Sequence, residues 1–288
     1  MLNWAIVGCG AISDIRVAPA LQNSKINRLA AVVSRDKEKA AAFARKHGAG
    51  KSFGSFEDML EDPSIEVVYV GSPNALHASQ AVAACKADKH VFCEKPMALT
   101  VSDCQAMIQA AEEHGVKLGI GFNNRYNPVH QEAKRRLETG VIGQVLFASG
   151  HFALKILRVS WRLDGALAGG GAMMDMGVHV IDLLRFFTGR EVVQVGALAD
   201  TAAFGWPLEE VVSAILEFEG GIHGLFHVGQ KFPYARNGVE IYGSKGVLLM
   251  IDTLVGQLRL DLPPPGHLET ITADGTERTD FAADALHY

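Results

Sequence analysis

Trp4-Ala5-Ile6-Val7-Gly8-Cys9-Gly10-Ala11-Ile12-Ser13 decides how the first half of this chain is read, because a β-branched run meets two glycines one residue apart and then a helical stretch. In such a turn the first glycine permits the tight bend and the second lets a pyrophosphate come close to backbone. The helix start then adds the positive end of its dipole. Gly8, Gly10, Ala11 and Ile12 are the expected contacts of a dinucleotide, while Ser13, where a third Gly or Ala is usual, loosens the match.

Outward from that turn, short β-branched runs alternate with longer helical patterns to about residue 121, which predicts a parallel sheet with crossover helices. The expected strands are Trp4–Val7, Leu29–Val33, Val67–Val70, His90–Cys93 and Lys117–Ile120. Thr100 with Asp103 three residues on predicts a helix start, and Gly115 its stop. One more helix, Val129–Thr139, follows Tyr126 and Pro128. The pattern then predicts strands Val145–Ile156, Val192–Asp200, Val211–Phe218, Ile222–Gln230, Val239–Gly243, Val247–Ile251, Gln257–Leu260 and Leu268–Thr272. Glu219-Gly220-Gly221 and Gly243-Ser244-Lys245-Gly246 read as hairpin turns, and Pro263-Pro264-Pro265 as a stiff break. The fold class is α/β: a doubly wound (Rossmann) dinucleotide-binding domain over 1–121, then an α+β domain over 122–288 with a large, mostly antiparallel sheet.

The 288 residues, 48% hydrophobic and 20% charged, suffice for two cores and exclude disordered and fibrous classes. A net charge of −5 without a Lys/Arg block argues against nucleic acid or an anionic membrane as partner. Cys9, Cys85, Cys93 and Cys104 form no Cys-x-x-Cys pair, so neither a zinc site nor a disulfide framework is expected. His223 and His227 share a strand face without a Cys or carboxylate partner and read as sheet packing; no metal is expected. There is no basic leader at Met1-Leu2-Asn3-Trp4 and no apolar run of membrane-span length, so the expected location is cytoplasmic. A serine hydrolase is unsupported, since no Gly-x-Ser-x-Gly elbow occurs.

The second strand ends in Ser34-Arg35, where an NAD enzyme commonly carries an acid for the ribose hydroxyls. A hydroxyl and a guanidinium suit a 2′-phosphate instead, which predicts NADP(H), with NAD possible. Ser72-Pro73-Asn74, with His77 nearby, follows the third strand, and Glu94-Lys95-Pro96 follows the fourth, both at the strand ends where open α/β sheets bind ligands. Finally, Gly169-Gly170-Gly171-Ala172-Met173-Met174-Asp175-Met176-Gly177-Val178-His179-Val180-Ile181-Asp182 opens an apolar helix with an acid and an imidazole four residues apart. On one helical face such a pair can move a proton to a small substrate. The plain alternative is helix capping plus a packed core histidine.

Together, Gly8-Cys9-Gly10, Ser72-Pro73-Asn74, Glu94-Lys95-Pro96 and the glycine-led Asp175/His179 helix resemble the Gfo/Idh/MocA oxidoreductases, the glucose-fructose oxidoreductase and inositol dehydrogenase family. The resemblance spans nearly the whole chain. It implies an open-faced second sheet and sugar or polyol substrates bound between the domains. It further implies that Lys95 touches substrate and cofactor, and that Asp175 and His179 orient the substrate and exchange its proton. Trp161-Arg162 resembles a pocket-lining segment and Asn123-Asn124-Arg125-Tyr126 the crossover between domains, which makes Trp161, Arg162 and Tyr126 substrate candidates. Ser34, Arg35, Ser72, Asn74, His77, Glu94, Lys95 and Asn123 join the cofactor candidates. The end at Tyr288 is short for the resembled family.

The expected function is an NADP(H)-preferring oxidoreductase moving hydride between nicotinamide and a carbonyl or secondary alcohol of a sugar-like molecule, nearest the anhydro-sugar or aldose reductases. An NAD-dependent inositol or sugar dehydrogenase and a non-catalytic NADP(H)-sensing regulator are the alternatives. The many strands and few covering elements of the second half predict a homo-oligomer through its sheet.

Overall fold

The computed structural model describes residues 1–155, 160–201, 205, 207–232, 235–254 and 266–282. The chain divides into two compact units, Met1–Gly121 with Ala166–Gly169, and Phe122–Gly165 with Gly170–His287.

In the first unit β1 (Leu2–Val7), β2 (Asn27–Val33), β3 (Lys51–Phe53), β4 (Val67–Val70), β5 (His90–Cys93) and β6 (Leu118–Ile120) are all parallel, in the order β3-β2-β1-β4-β5-β6. The order reverses between β1 and β4, the switch point at which such sheets take their ligands. The helices are α1 (Ala18–Asn23), α2 (Lys37–His47), α3 (Phe56–Leu60), α4 (His77–Lys86) and α5 (Val101–Glu113). Every residue of β4 is buried, because apolar clusters cover both faces of the sheet. Thr100 caps α5 by accepting from Asp103 N at 3.1 Å, and Gly115 follows its end at φ +64°.

The second unit begins with α6 (Pro128–Glu138) and β7 (Val145–Ala153). The short α7 (Gly165–Ala168) belongs mainly to the first unit, and α8 (Val178–Thr188) follows it. After α8 come β8 (Val192–Asp200), β9 (Val211–Phe218), β10 (Ile222–Gly229), β11 (Gly238–Gly243), β12 (Gly246–Ile251), β13 (His267–Thr272) and β14 (Gly275–Asp280). The sheet order is β14-β13-β12-β11-β7-β10-β9-β8, antiparallel except for the parallel β7/β10 pair. That exception follows from α8 crossing over between β7 and the later strands. Val180, Leu183, Leu184 and Phe187 recur at helical spacing and bury one stripe of α8, each contributing ~1.5–3 kcal/mol. A side chain at Gly150 of β7 would run into Val180, so a glycine there lets helix and sheet close together.

Several expectations need amendment. The helical run Gly165–Thr188, 24 residues long, does reach the length and apolarity of a membrane span; 56% of its apolar 18-residue window is buried inside the protein, as in a core helix. The strands β3 and β14 and the helix α3 had no expectation. Gln257–Leu260, Pro263-Pro264-Pro265 and Ile156 lie outside the described residues.

Candidate active site

The first unit builds a loop at the end of β1. Gly8 sits at φ +98°, and a Cβ there would lie 2.6 Å from Gly71 O, so conformation and neighbour both require glycine. Nothing lies within 4 Å of the place a Cβ would take on Gly10, so only an incoming group gives glycine an advantage there. An open backbone ahead of a helix start is a cradle for a pyrophosphate, and the loop fits a dinucleotide on this ground. Ser13, which departs from the usual glycine pattern, is 1% exposed and its hydroxyl donates to Gly8 O at 2.6 Å, so the serine fastens the glycine turn. After Ala11 and Ile12 the helix widens into a π-turn, Ser13–Val17, closed by Ala18 N to Ser13 O. A groove beside the loop is lined by Cys9, Gly10, Ala11, Asp14, Lys39 and Lys46. Asp14 is bonded by Lys46 at 2.7 Å and His47 at 2.6 Å, and these hydrogen bonds hold its carboxyl below the usual range. Burial pushes the Cys9 thiol up, away from reactivity.

At the end of β2, Ser34 Oγ accepts from Asp36 N at 3.3 Å, and Arg35 is exposed. Asp36 accepts from Lys39 N at 3.0 Å as the cap of α2, so the nearest acid is engaged by its own helix. After β4, Ser72 Oγ donates to Gln80 Oε1 at 2.6 Å and Asn74 Nδ2 to Ala168 O at 2.8 Å. The assignment of His77 to cofactor contact is corrected: it is 1% exposed, with Nδ1 2.8 Å from Pro96 O and Nε2 3.0 Å from Ser72 O. Its ring packs between the Ser72-Pro73-Asn74 loop and the Glu94-Lys95-Pro96 turn; burial lowers its proton affinity, and the neutral ring donates to one of the two carbonyls at a time. Glu94 Oε1 accepts from the Tyr69 hydroxyl at 2.8 Å; burial holds that hydroxyl protonated, well above the phenol range. Lys95 is half-buried.

The second unit carries the acid and the imidazole. Gly171 N and Met173 N donate to Glu209 Oε1 at 2.7 and 3.1 Å, and Ala172 N donates to Glu209 O at 2.9 Å. A Cβ on Gly171 would collide with Glu209 O, which accounts for that glycine. The π-turn Met173–Gly177, closed by Val178 N to Met173 O, then leads into α8. Asp175 and His179 are therefore four residues apart across a turn one residue wider than an α-turn, not along a regular helix. Asp175 Oδ2 accepts from Gln230 Nε2 at 3.1 Å. His179, 4% exposed, meets Phe122 and Phe152 edge-on at ring separations of 6.3 and 6.0 Å. Asp182, one turn further, takes a two-pronged bond from Arg125 at 2.7 and 2.6 Å, joining α8 to the Asn123–Tyr126 turn. In the turn Ser160–Leu163, Arg162 stacks over the Trp161 ring at 4.6 Å. Tyr126 is 79% exposed and Asn123 half-buried. Among the described residues no cluster of His, Cys, Asp or Glu has the makings of a metal site. His227 instead faces His151 across β10 and β7, Nδ1 to Nδ1 3.3 Å.

The profile described as "Oxidoreductase family, NAD-binding Rossmann fold" matches residues 2–122, and that of the GFO/IDH/MocA C-terminal domain matches residues 130–249. The chain belongs to the Gfo/Idh/MocA oxidoreductase family. A 1,5-anhydro-D-fructose reductase of Ensifer adhaerens is 32% identical over 278 residues, covering 96% of this chain and 81% of that protein. A levoglucosan dehydrogenase solved with NADH and levoglucosan superposes with a TM-score of 0.85 at 27% identity, covering 98% of this chain and 80% of that one. A 3-ketoreductase from Actinomadura kijaniata solved with NADP and TDP-benzene gives 0.84 at 26% identity, covering 98% and 85%. As a family member, this chain is an oxidoreductase with an NAD-binding Rossmann domain.

Glu209, Gln230 and the bracing roles of Ser13 and His77 escaped the sequence reading. Glu209 lies 38 and 36 residues from the amides it accepts, and Gln230 lies 55 from Asp175, so no local spacing announces them.

Proposed function

We propose that this Gfo/Idh/MocA protein is an NADP(H)-preferring oxidoreductase acting on a carbonyl or secondary alcohol of a sugar-like substrate, with anhydro-sugars and aldoses as the first class to try. Residues 1–121 hold the dinucleotide, and residues 122–288 serve substrate and assembly. The nicotinamide supplies or takes the hydride. Gly8, Gly10, Ala11 and Ile12 receive the pyrophosphate, and Ser34 with Arg35 the 2′-phosphate. Ser72, Asn74, Glu94, Lys95 and Asn123 complete the cofactor contacts.

In the reducing direction His179 gives a proton to the forming alkoxide while the Lys95 ammonium polarises that oxygen; in oxidation His179 takes the proton. Asp175 orients the substrate and favours the charged imidazole, and Tyr126, Trp161 and Arg162 line the substrate's path. The observation that carries this reading is the start of α8. A carboxylate held by Gln230 and an imidazole set between two aromatic rings are unnecessary for a protein that only senses a dinucleotide. The named activities of the relatives support the substrate class. The levoglucosan dehydrogenase bound to NADH favours a second reading on the cofactor alone, an NAD-using sugar dehydrogenase.

The test is a screen of NADPH and NADH oxidation, and of the reverse reductions, against 1,5-anhydro-D-fructose, levoglucosan, aldoses and polyols. Turnover with an anhydro-sugar or aldose and a preference for NADPH is the expected result. No turnover with any of them in either direction defeats the substrate class.

The same reading includes self-association through the sheet face turned away from α8. Cross-strand register puts Leu198, Ile215, Leu225 and Tyr242 on that face, with Leu198 81% and Ile215 70% exposed. An apolar patch of this kind is seldom left in water. Light scattering at micromolar concentration should give more than the monomer mass, and Ile215→Glu should lower it; a monomeric parent defeats the idea. A cytoplasmic location belongs to the same reading.

A further inference from the structure

The π-turn carrying Asp175 is gripped at two points by residues of the same unit that are distant in sequence. Glu209, just before β9, takes the amides of Gly171 and Met173 on one carboxylate oxygen and that of Ala172 on its carbonyl. Gln230, just after β10, donates to Asp175 Oδ2. β9 and β10 pair along their whole length, from Ile222 opposite Phe218 to Gly229 opposite Val211, and Gln230 N donates to Glu210 O at 3.0 Å beyond the last pair. The two grips are therefore adjacent ends of one hairpin.

We infer that Glu209 and Gln230 form a clamp that fixes the π-turn and aims Asp175, acting as positioning residues for the proposed reaction. The inference rests on the reading of Asp175 given above. Three features support a positioning role over plain packing. Gln230 is 0% exposed, and its Oε1 has no hydrogen-bond partner among the described residues, so an apolar side chain would suit the core better unless the bond to Asp175 matters. Glu209 caps by reaching back from another element, where an Asn, Ser or Asp at the helix start would have served stability alone. A π-turn also lacks the full α-helical ladder, so the orientation of its side chains depends on outside contacts more than a regular turn's does.

Two measurements on the whole protein test this, the first without substrate. Amide hydrogen exchange in the segment 170–176 should speed up at least tenfold in Glu209→Ala and stay within threefold of the parent in Glu209→Gln, which keeps the accepting oxygen. Exchange in β1 and β2 should not change in either. Parent-like exchange in Glu209→Ala overturns the clamp.

The second measurement is steady-state kinetics with NADPH and 1,5-anhydro-D-fructose for Gln230→Leu, Asp175→Asn and the double variant. A lost hydrogen bond to a charged group predicts about a ten- to hundredfold fall in kcat/KM for Gln230→Leu, mostly through KM. The double variant should be no worse than Asp175→Asn, because Gln230 acts only through Asp175. An impaired Asp175→Asn beside a parent-like Gln230→Leu overturns the clamp and spares the proposed function. A parent-like Asp175→Asn removes the orienting role of Asp175 and overturns the clamp's part in the reaction. If the substrate screen fails, the exchange experiment decides the clamp alone.

Discussion

Two helices in this chain start alike and finish differently. Each follows glycines, Gly8-Cys9-Gly10 in the first unit and Gly169-Gly170-Gly171 leading to the second, and each carries a five-residue π-turn in its first turns, Ser13–Val17 and Met173–Gly177. In the first, the glycine nearest the helix has empty space around it. In the second, the last glycine is pressed against Glu209, whose carboxylate already occupies the free amides. The bare amides of a helix start attract an anion wherever they are left open. On the proposed reading the first start takes a ligand's phosphate, whereas at the second the amides of Gly171, Ala172 and Met173 are bonded to Glu209, which leaves the side chains along the turn to act.

That difference predicts where chemistry fails. His179→Ala and Lys95→Ala should each cost about 10²–10⁴ in turnover with NADPH affinity near the parent's, since a positioned proton donor and a charge aimed at the same oxygen contribute on that scale. If both serve one transition state, the double variant should lose far less than the product of the single losses. Stopped-flow rates with fluorescence titration of NADPH measure both quantities. A kcat for His179→Ala within threefold of the parent, with chemistry rate-limiting, returns His179 to the plain role of a ring packed between Phe122 and Phe152.

The glycines can be set against each other directly. Gly10→Ala meets no protein atom, so its melting temperature should stay within a degree or two of the parent's while NADPH binding weakens by about tenfold or more. Gly171→Ala drives a methyl into Glu209 O and should lower the melting temperature by several degrees, the shift expected from a lost cap of ~1–2 kcal/mol. Thermal melts and titrations on the pair suffice. Equal damage to stability in both would erase the distinction between an open and a closed start.

How much of this was legible in the sequence divides along the same line. Features carried by the chain's own periodicity could be read: Val67–Val70, His90–Cys93, Val192–Asp200 and Val211–Phe218 coincide with observed strands because apolar or β-branched runs bounded by turns have few other uses. β14, Gly-Thr-Glu-Arg-Thr-Asp, could not be, since an edge strand rich in charge carries no apolar alternation. In the site, glycines and capping residues declared themselves locally, as Thr100 did through Asp103. Partnerships across the fold did not. The bond of Ser13 to Gly8 O could not be read from its place in the glycine pattern, nor could the two backbone carbonyls that face the ring nitrogens of His77. Composition alone cannot tell a polar side chain turned toward a ligand from one turned toward its own chain.

A smaller effect sharpens the account of the open start. Arg35 is exposed beside Ser34, and Asp36 Oδ1 caps α2 by accepting from Lys39 N. Arg35→Ala should weaken NADPH by about ten- to a hundredfold, the worth of a charge-assisted bond, and NADH far less. Equal losses for the two dinucleotides would take Arg35 out of 2′-phosphate recognition and favour the NAD reading.

The smallest expected effect concerns the charge next to the open start. Asp14, one residue into the first π-turn, places a negative charge beside the proposed phosphate cradle, and Lys46 offsets it. Lys46→Met should therefore weaken NADPH by about two- to fivefold at low ionic strength, because a largely exposed pair contributes ~1 kcal/mol or less. The loss should shrink at 0.3 M salt, where screening acts over less than about 8 Å. The acid side follows from the same pair. The hydrogen bonds from Lys46 and then His47 hold the Asp14 carboxyl below the usual range. Its stabilisation is thus present above the unfolded value of about 4 and fades as pH falls through the lower folded value. Melting temperatures of parent and Lys46→Met should differ slightly at neutral pH and converge once the pH has fallen below the lowered folded value of Asp14. A variant that binds NADPH as tightly as the parent at low salt would show that Asp14 does not act on the open start, leaving the dipole and the bare amides to attract the phosphate unaided.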